Sequence, residues 1–117
     1  MDQTKNARYL LTAGLVIVFS AFGLWKFTDP IRWISWIPLW MDGMFGLTRD
    51  TWLTVFGAFE LLLAIGLLLP QKRFKQLAAA LMMLHLVAVL TQTGWNDTGA
   101  RDTGLLFSSA ALWILLR

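Results

Sequence analysis

The chain has no cysteine, a single histidine, a single tyrosine and three prolines, and only 15% of its 117 residues are charged. Without cysteine there is no disulfide, no CxxC redox pair, no covalent haem attachment, no iron–sulfur cluster and no thiolate zinc site. The lone histidine, His85, cannot supply bis-imidazole haem ligation within one chain, and no spacing of metal ligands appears, so no metal is expected. The formal charge of +3 is small, and the basic residues lie scattered among long apolar runs. No basic stripe exists to track phosphates, so nucleic acid is not an expected partner. The sequence also lacks a phosphate-binding glycine loop and any self-contained catalytic constellation.

What the chain has in excess is apolar surface. Hydrophobic residues make up 57% of it, more than a globule of this length can bury. The charge-poor stretches run Tyr9–Trp25, Thr51–Gln71 with Glu60 inside, Gln76–Asn96 with His85 inside, and Thr103–Leu116. As helices the first three would reach ~25–32 Å, close to the ~30 Å hydrocarbon core of a bilayer. The fourth gives only ~21 Å and must borrow from its polar N-terminal flank. The reading is an all-α membrane protein, an antiparallel four-transmembrane-helix bundle in one domain over 1–117. Its spans fall near 9–27, 51–70, 74–92 and 100–116. The first span has basic flanks, but no small-residue cleavage site follows it, so it reads as an uncleaved anchor.

Charge bias orients the bundle. Lys5, Arg8, Lys72, Arg73, Lys75 and Arg117 fall at one end; Lys26, Arg32, Arg49 and Arg101 fall at the other, among most of the acidic residues. The positive-inside rule then places both termini in the cytoplasm. In the first outer loop, Asp29-Pro30 reads as a helix start, with Asp as N-cap and Pro in the first turn. Trp33, Trp36, Ile37 and Trp40 follow at helical spacing, and Pro38 should end or kink the helix. The three tryptophans read as an interfacial anchor at headgroup level, with a short lid over the bundle end as the alternative. Asp50 is the expected cap of the second span, and Pro70 its end.

Each span carries one small or polar face, which should point inward. These faces are Thr12, Val16, Phe19, Gly23 and Lys26; Gly57, Glu60 and Ala64; Ala78, Leu81, His85, Ala88 and Gln92; and Arg101, Gly104, Ser108 and Ala111. Asp102 sits one residue off its face. Glu60 and His85 come out ~13 and ~10 Å below the outer boundary. Glu60, His85, Lys26, Arg101, Asp102 and Gln92 are therefore the candidate polar site, in the outer half of the bundle. Glu60 and His85 should meet directly. His85 alone would read as a hydrogen-bonded core histidine, and Lys26 as a snorkelling side chain. Arg101 should be held by Glu60, Asp29 or Asp97, because Asp102 is too near in sequence to share its helix face.

The ordered motifs resemble a known family. Gly14-Leu15, Phe22-Gly23-Leu24-Trp25-Lys26-Phe27-Thr28-Asp29-Pro30, the Trp-Ile-Pro-Leu-Trp run at 36–40, Gly57-Ala58-Phe59-Glu60-Leu61 through Gly66-Leu67-Leu68-Leu69-Pro70, and Arg101-Asp102-Thr103-Gly104-Leu105-Leu106 are similar, in order, to segments of the DoxX family. That resemblance implies a small four-helix protein of the prokaryotic inner membrane. It also implies an accessory subunit of a quinone-linked redox or stress-response complex, with a redox partner subunit and quinone as the candidate bound molecule. Because this chain has no cysteine, it departs from members coupled to thiol chemistry. A small-solute or lipid-binding carrier is the alternative, helped by homo-oligomerisation. A purely structural membrane protein is the third reading.

Overall fold

The computed structural model describes residues 2–117, and every regular element among them is helical. The elements are α1 (Asp2–Thr28), α2 (Pro30–Ile34), two short 3-10 turns at Leu39–Met41 and Met44–Gly46, α3 (Arg49–Leu68), α4 (Lys72–Thr93) and α5 (Asp97–Leu116). The helices α1, α3 and α4 are long and apolar enough to cross a membrane. The last helix gains its length by starting at Asp97 rather than near residue 100. Asn96 caps it, its side chain accepting from the Gly99 N–H at 2.8 Å. The added first turns bring in Asp97, Arg101 and Asp102, and α5 is not among the helices apolar enough to cross.

Four long helices pack as a ring, α1 against α3 and α5, and α4 against α3 and α5. Leu15, Phe19, Leu67, Met82 and Leu112 fill the centre. The tightest approach joins α1 to α3. A Cβ on Gly23 would lie 2.9 Å from the Gly57 carbonyl oxygen, and one on Gly57 would lie 3.0 Å from the Gly23 carbonyl oxygen. Only glycine allows backbone to meet backbone at that distance.

Several local features differ from the sequence reading. The inward face of α5 runs through Gly99, Asp102, Ser109, Leu112 and Leu116. The stripe of Arg101, Gly104, Ser108 and Ala111 points largely outward, so small size alone misassigned that face. Inward positions of α4 are Ala78, Ala79, Met82 and Leu86, while Ala88 and Gln92 are exposed. The cap of α3 is Thr48, whose hydroxyl accepts from the Thr51 N–H; Asp50 lies inside the first turn instead. Helix α3 ends at Leu68, and Leu69 is extended, as the residue before a proline prefers.

The first loop is not a two-turn amphipathic helix. Helix α2 stops at Ile34, and Asp29 makes no capping side-chain bond; it faces Arg32 instead, at 3.6 Å in the open. The tryptophans divide accordingly. Trp33 is buried with Ile37, Met41 and Leu53, whereas Trp36 and Trp40 are exposed. Arg49 fixes this loop by donating from Nη2 to the Ile34 and Ile37 carbonyls and from Nε to Ile37. Trp52 Nε1 donates to the Met44 carbonyl at 3.2 Å. The loop is thereby bound to the α1–α3 pair and forms a lid over that end of the bundle.

The close α1–α3 crossing makes a direct prediction. Gly23→Ala should destabilise the folded protein by about 1–3 kcal/mol, the usual cost of overpacking. Gly104, with no neighbouring atom within 4 Å of an added Cβ, should tolerate alanine or gain up to ~1 kcal/mol from helix propensity. Thermal unfolding in detergent checks the order of the two variants.

Candidate functional site

The candidate site grows from the glycine crossing. In an antiparallel pair, a residue one turn beyond Gly23 and another one turn beyond Gly57 move apart along the axis. Their Cα–Cβ bonds, however, lean toward the N-terminus of each helix, and so lean toward each other. Lys26 and Glu60 occupy those positions. Lys26 Nζ sits 2.6 Å from Glu60 Oε1, with side chains only 10% and 6% exposed. Lys26 therefore does not snorkel to the boundary. It turns into the bundle, where the Trp33 ring covers its ammonium at 4.4 Å from the ring centroid.

The third member comes from α4. His85 Nε2 lies 3.3 Å from Glu60 Oε2. Its imidazole is caged by Phe19, Phe56 and Phe59, with ring centroids at 6.3, 6.0 and 5.4 Å. With Glu60 ionised, the tautomer protonated at Nε2 donates to Oε2, while Oε1 has the Lys26 ammonium as an ion-pair partner and no hydrogen bond. The triad draws one residue from each of α1, α3 and α4.

Arg101 and Asp102 form a second pair beside it. Arg101 Nε lies 3.1 Å from Asp102 Oδ1, and the guanidinium carbon lies 4.5 Å above the Phe22 ring. This corrects the expected partnership of Arg101 with Glu60, Asp29 or Asp97. The buried member of the pair is Asp102, at 3% exposure, while Arg101 is exposed and folds back along its own helix. A long side chain that bonds through Nε need not share a helix face with its neighbour. Gln92 is exposed and hydrogen-bonds Thr91.

All six candidate polar residues line one cavity of about 340 Å³ beneath the lid, together with Trp33, Trp36 and Trp40. The remaining wall is apolar, chiefly Phe19, Phe22, Ile37, Met41, Phe56 and Leu105. Among the described residues, two buried atoms of lining residues make no hydrogen bond: Glu60 Oε1, whose ion-pair partner is the Lys26 ammonium, and Trp33 Nε1. An indole N–H in that state costs about 1–3 kcal/mol relative to one with an acceptor. Among the described residues no cluster suits a metal ion. The residues that sequence reasoning missed are Arg49 and Trp52, which hold the lid, and the buried Trp33 N–H. Their partners are backbone carbonyls or none at all, so no pattern of residue types announces them.

A family model described as Domain of unknown function (DUF8561) matches residues 15–100, and the chain belongs to that family. No curated protein and no solved structure matches the chain.

The pairing of Lys26 with Glu60 has a measurable consequence. Lys26→Met should destabilise by about 3–5 kcal/mol, because it leaves a buried carboxylate facing apolar walls. Adding Glu60→Gln should restore a large part of that loss. In contrast, Arg32→Gln, at the exposed Asp29 pair, should change stability by less than about 1 kcal/mol. Chemical denaturation of the four proteins measures the set.

Proposed function

We propose that this chain is a four-helix protein of the prokaryotic cytoplasmic membrane. In this reading both termini are cytoplasmic, and the cavity beneath the lid holds a small, uncharged, largely apolar molecule with a hydrogen-bond acceptor. The observation that carries the reading is a cavity of about 340 Å³ whose lining includes Trp33, a residue with a buried and unpartnered Nε1–H. That volume falls in the roughly 300–1,000 Å³ range of small-molecule sites, which combine apolar walls with a few converging polar groups. Neutrality of the ligand follows from charge balance. Lys26 is matched by Glu60 and Arg101 by Asp102, so a charged ligand would leave one charge without a counterpart in a poorly hydrated place.

A quinone ring satisfies these demands. It is flat and uncharged, it suits aromatic walls such as Phe22, Trp33 and Phe56, and its carbonyl oxygens accept hydrogen bonds. The resemblance to the DoxX family supports the same molecule. With no cysteine and one histidine, the chain offers no thiol chemistry or bis-imidazole haem of its own. The reading is thus an accessory subunit that holds quinone for a redox partner. The membrane setting is supported by three helices apolar enough to cross and by exposed Ile31, Leu39, Trp40, Phe45 and Trp95 at the lid end, where apolar and aromatic side chains suit the headgroup zone. The fourth helix completes the bundle with its charged turns turned toward the cavity and the outer boundary.

The test is equilibrium binding of 2-methyl-1,4-naphthoquinone to the detergent-purified protein, read by quenching of tryptophan fluorescence. Trp33→Phe keeps the ring packing and removes one donor, so affinity should fall about five- to tenfold, the worth of one hydrogen bond. Equal affinity of the two proteins would contradict the assignment. A reporter fused after Arg117 should be active only in its cytoplasmic form.

A further inference from the structure

The end of the bundle opposite the lid concentrates positive charge. Lys5, Arg8, Lys72, Arg73, Lys75 and Arg117 gather there in the sequence, with Asp2 the sole acidic residue of that end. The ion pairs of the described residues involve none of the six. Six basic side chains with no acidic side chain paired to them among the described residues are an unusual way to finish a helix bundle, unless further counter-charge comes from outside.

A cavity of about 290 Å³ lies among them, between the start of α1, the α3–α4 turn and the end of α5. Arg8, Lys72 and Lys75 line it, with Tyr9 and Thr12, and among the described residues no acidic side chain is in the wall. The lysines are held in place by backbone. Lys75 Nζ donates to the Leu67 carbonyl and Lys72 Nζ to a backbone oxygen of the last residue, Arg117, each at 3.1 Å. An ammonium has three N–H bonds, so each lysine keeps two for a ligand. Arg8 adds a planar fork that fits phosphate oxygens in pairs. The N-terminus of α4 adds to the same field. Gln71 gives it no side-chain cap and its first turn has no acid, so free N–H groups and the positive end of the helix dipole remain there. Alongside, α1 and α3 present exposed Tyr9, Leu10 and Leu68. A soluble anion has no use for that apolar flank, whereas an amphiphile does.

We infer that this cavity binds the phosphodiester headgroup of an anionic glycerophospholipid of the inner leaflet, its acyl chains lying on the exposed faces of α1 and α3. The inference rests on the bilayer setting proposed above and is independent of what occupies the cavity beneath the lid. A basic recess between helices on the cytoplasmic side is a known physical solution for anionic headgroups.

Native mass spectrometry of the purified full chain, supplied with equal phosphatidylglycerol and phosphatidylcholine, tests it. Wild type should retain phosphatidylglycerol at least about fivefold better, the scale of one basic contact. The preference should vanish in Arg8→Gln/Lys75→Gln and persist in Arg32→Gln, which removes a cation from the opposite end. Wild type should also lose its preference for phosphatidylglycerol when washed in high salt before analysis, a readout that needs no variant to fold. Glu60→Gln should leave the preference unchanged, so failure of the lid-end site is distinguished from failure here. Equal retention of the two lipids by wild type would overturn the inference, and so would an unchanged preference in Arg8→Gln/Lys75→Gln. Displacement of the lipid by an equal concentration of inorganic phosphate would overturn the lipid as the occupant.

Discussion

A carboxylate buried among apolar helices must be matched by positive charge or by donors, and Glu60 obtains that match through a backbone contact. Gly23 and Gly57 let α1 and α3 meet carbonyl against glycine. That closeness brings the Lys26 ammonium onto Oε1, and His85 reaches Oε2 from α4. The ion pair in turn sets the height of the lid, since Trp33 rests its ring on the same ammonium. Removing the closeness would separate the charges, and removing the charge would leave Trp33 without the cation that its ring covers. The polar site and the packing of this end are therefore one construction.

The architecture joins two hairpins of different character. The α1–lid–α3 half is fastened by Arg49 and Trp52 to backbone carbonyls of the loop. The α4–α5 half contributes His85, Gln92, Arg101 and Asp102 from across the cavity. The cavity beneath the lid is thus the seam between halves. Small-molecule sites favour such seams, because neither half alone must bury all its polar groups. Each cation has its carboxylate within ion-pairing distance, and among the described residues Trp33 Nε1 and Glu60 Oε1 are the buried side-chain atoms without a hydrogen bond.

Much of this was legible in the sequence for definite physical reasons. Long charge-poor runs fix the number and place of the helices, and helical period with antiparallel neighbours is enough to expect Glu60 and His85 at similar depth. The structure puts them 3.3 Å apart. The inward lean of Lys26 was also available, from the direction of Cα–Cβ bonds, but the habit of placing lysine at the boundary obscured it. Other features were hidden for equally physical reasons. The division of the tryptophans depends on α2 stopping at Ile34, where the Arg49 guanidinium donates to the Ile34 and Ile37 carbonyls from fifteen and twelve residues away. The inward face of α5 was misjudged because glycine, serine and alanine there mark an outward surface, while the buried Asp102 carries the face.

The central claim is that Trp33 Nε1–H is the donor for a neutral ligand beneath the lid. Indole ¹⁵N–¹H resonances of the protein in detergent micelles report that group most directly, with Trp33 identified by its loss in Trp33→Phe. Titration with 2-methyl-1,4-naphthoquinone should move the Trp33 signal downfield, as a hydrogen bond forms, and should do so in proportion to occupancy. Bound ligand with a stationary Trp33 resonance, while Trp36 and Trp40 shift instead, would contradict the account.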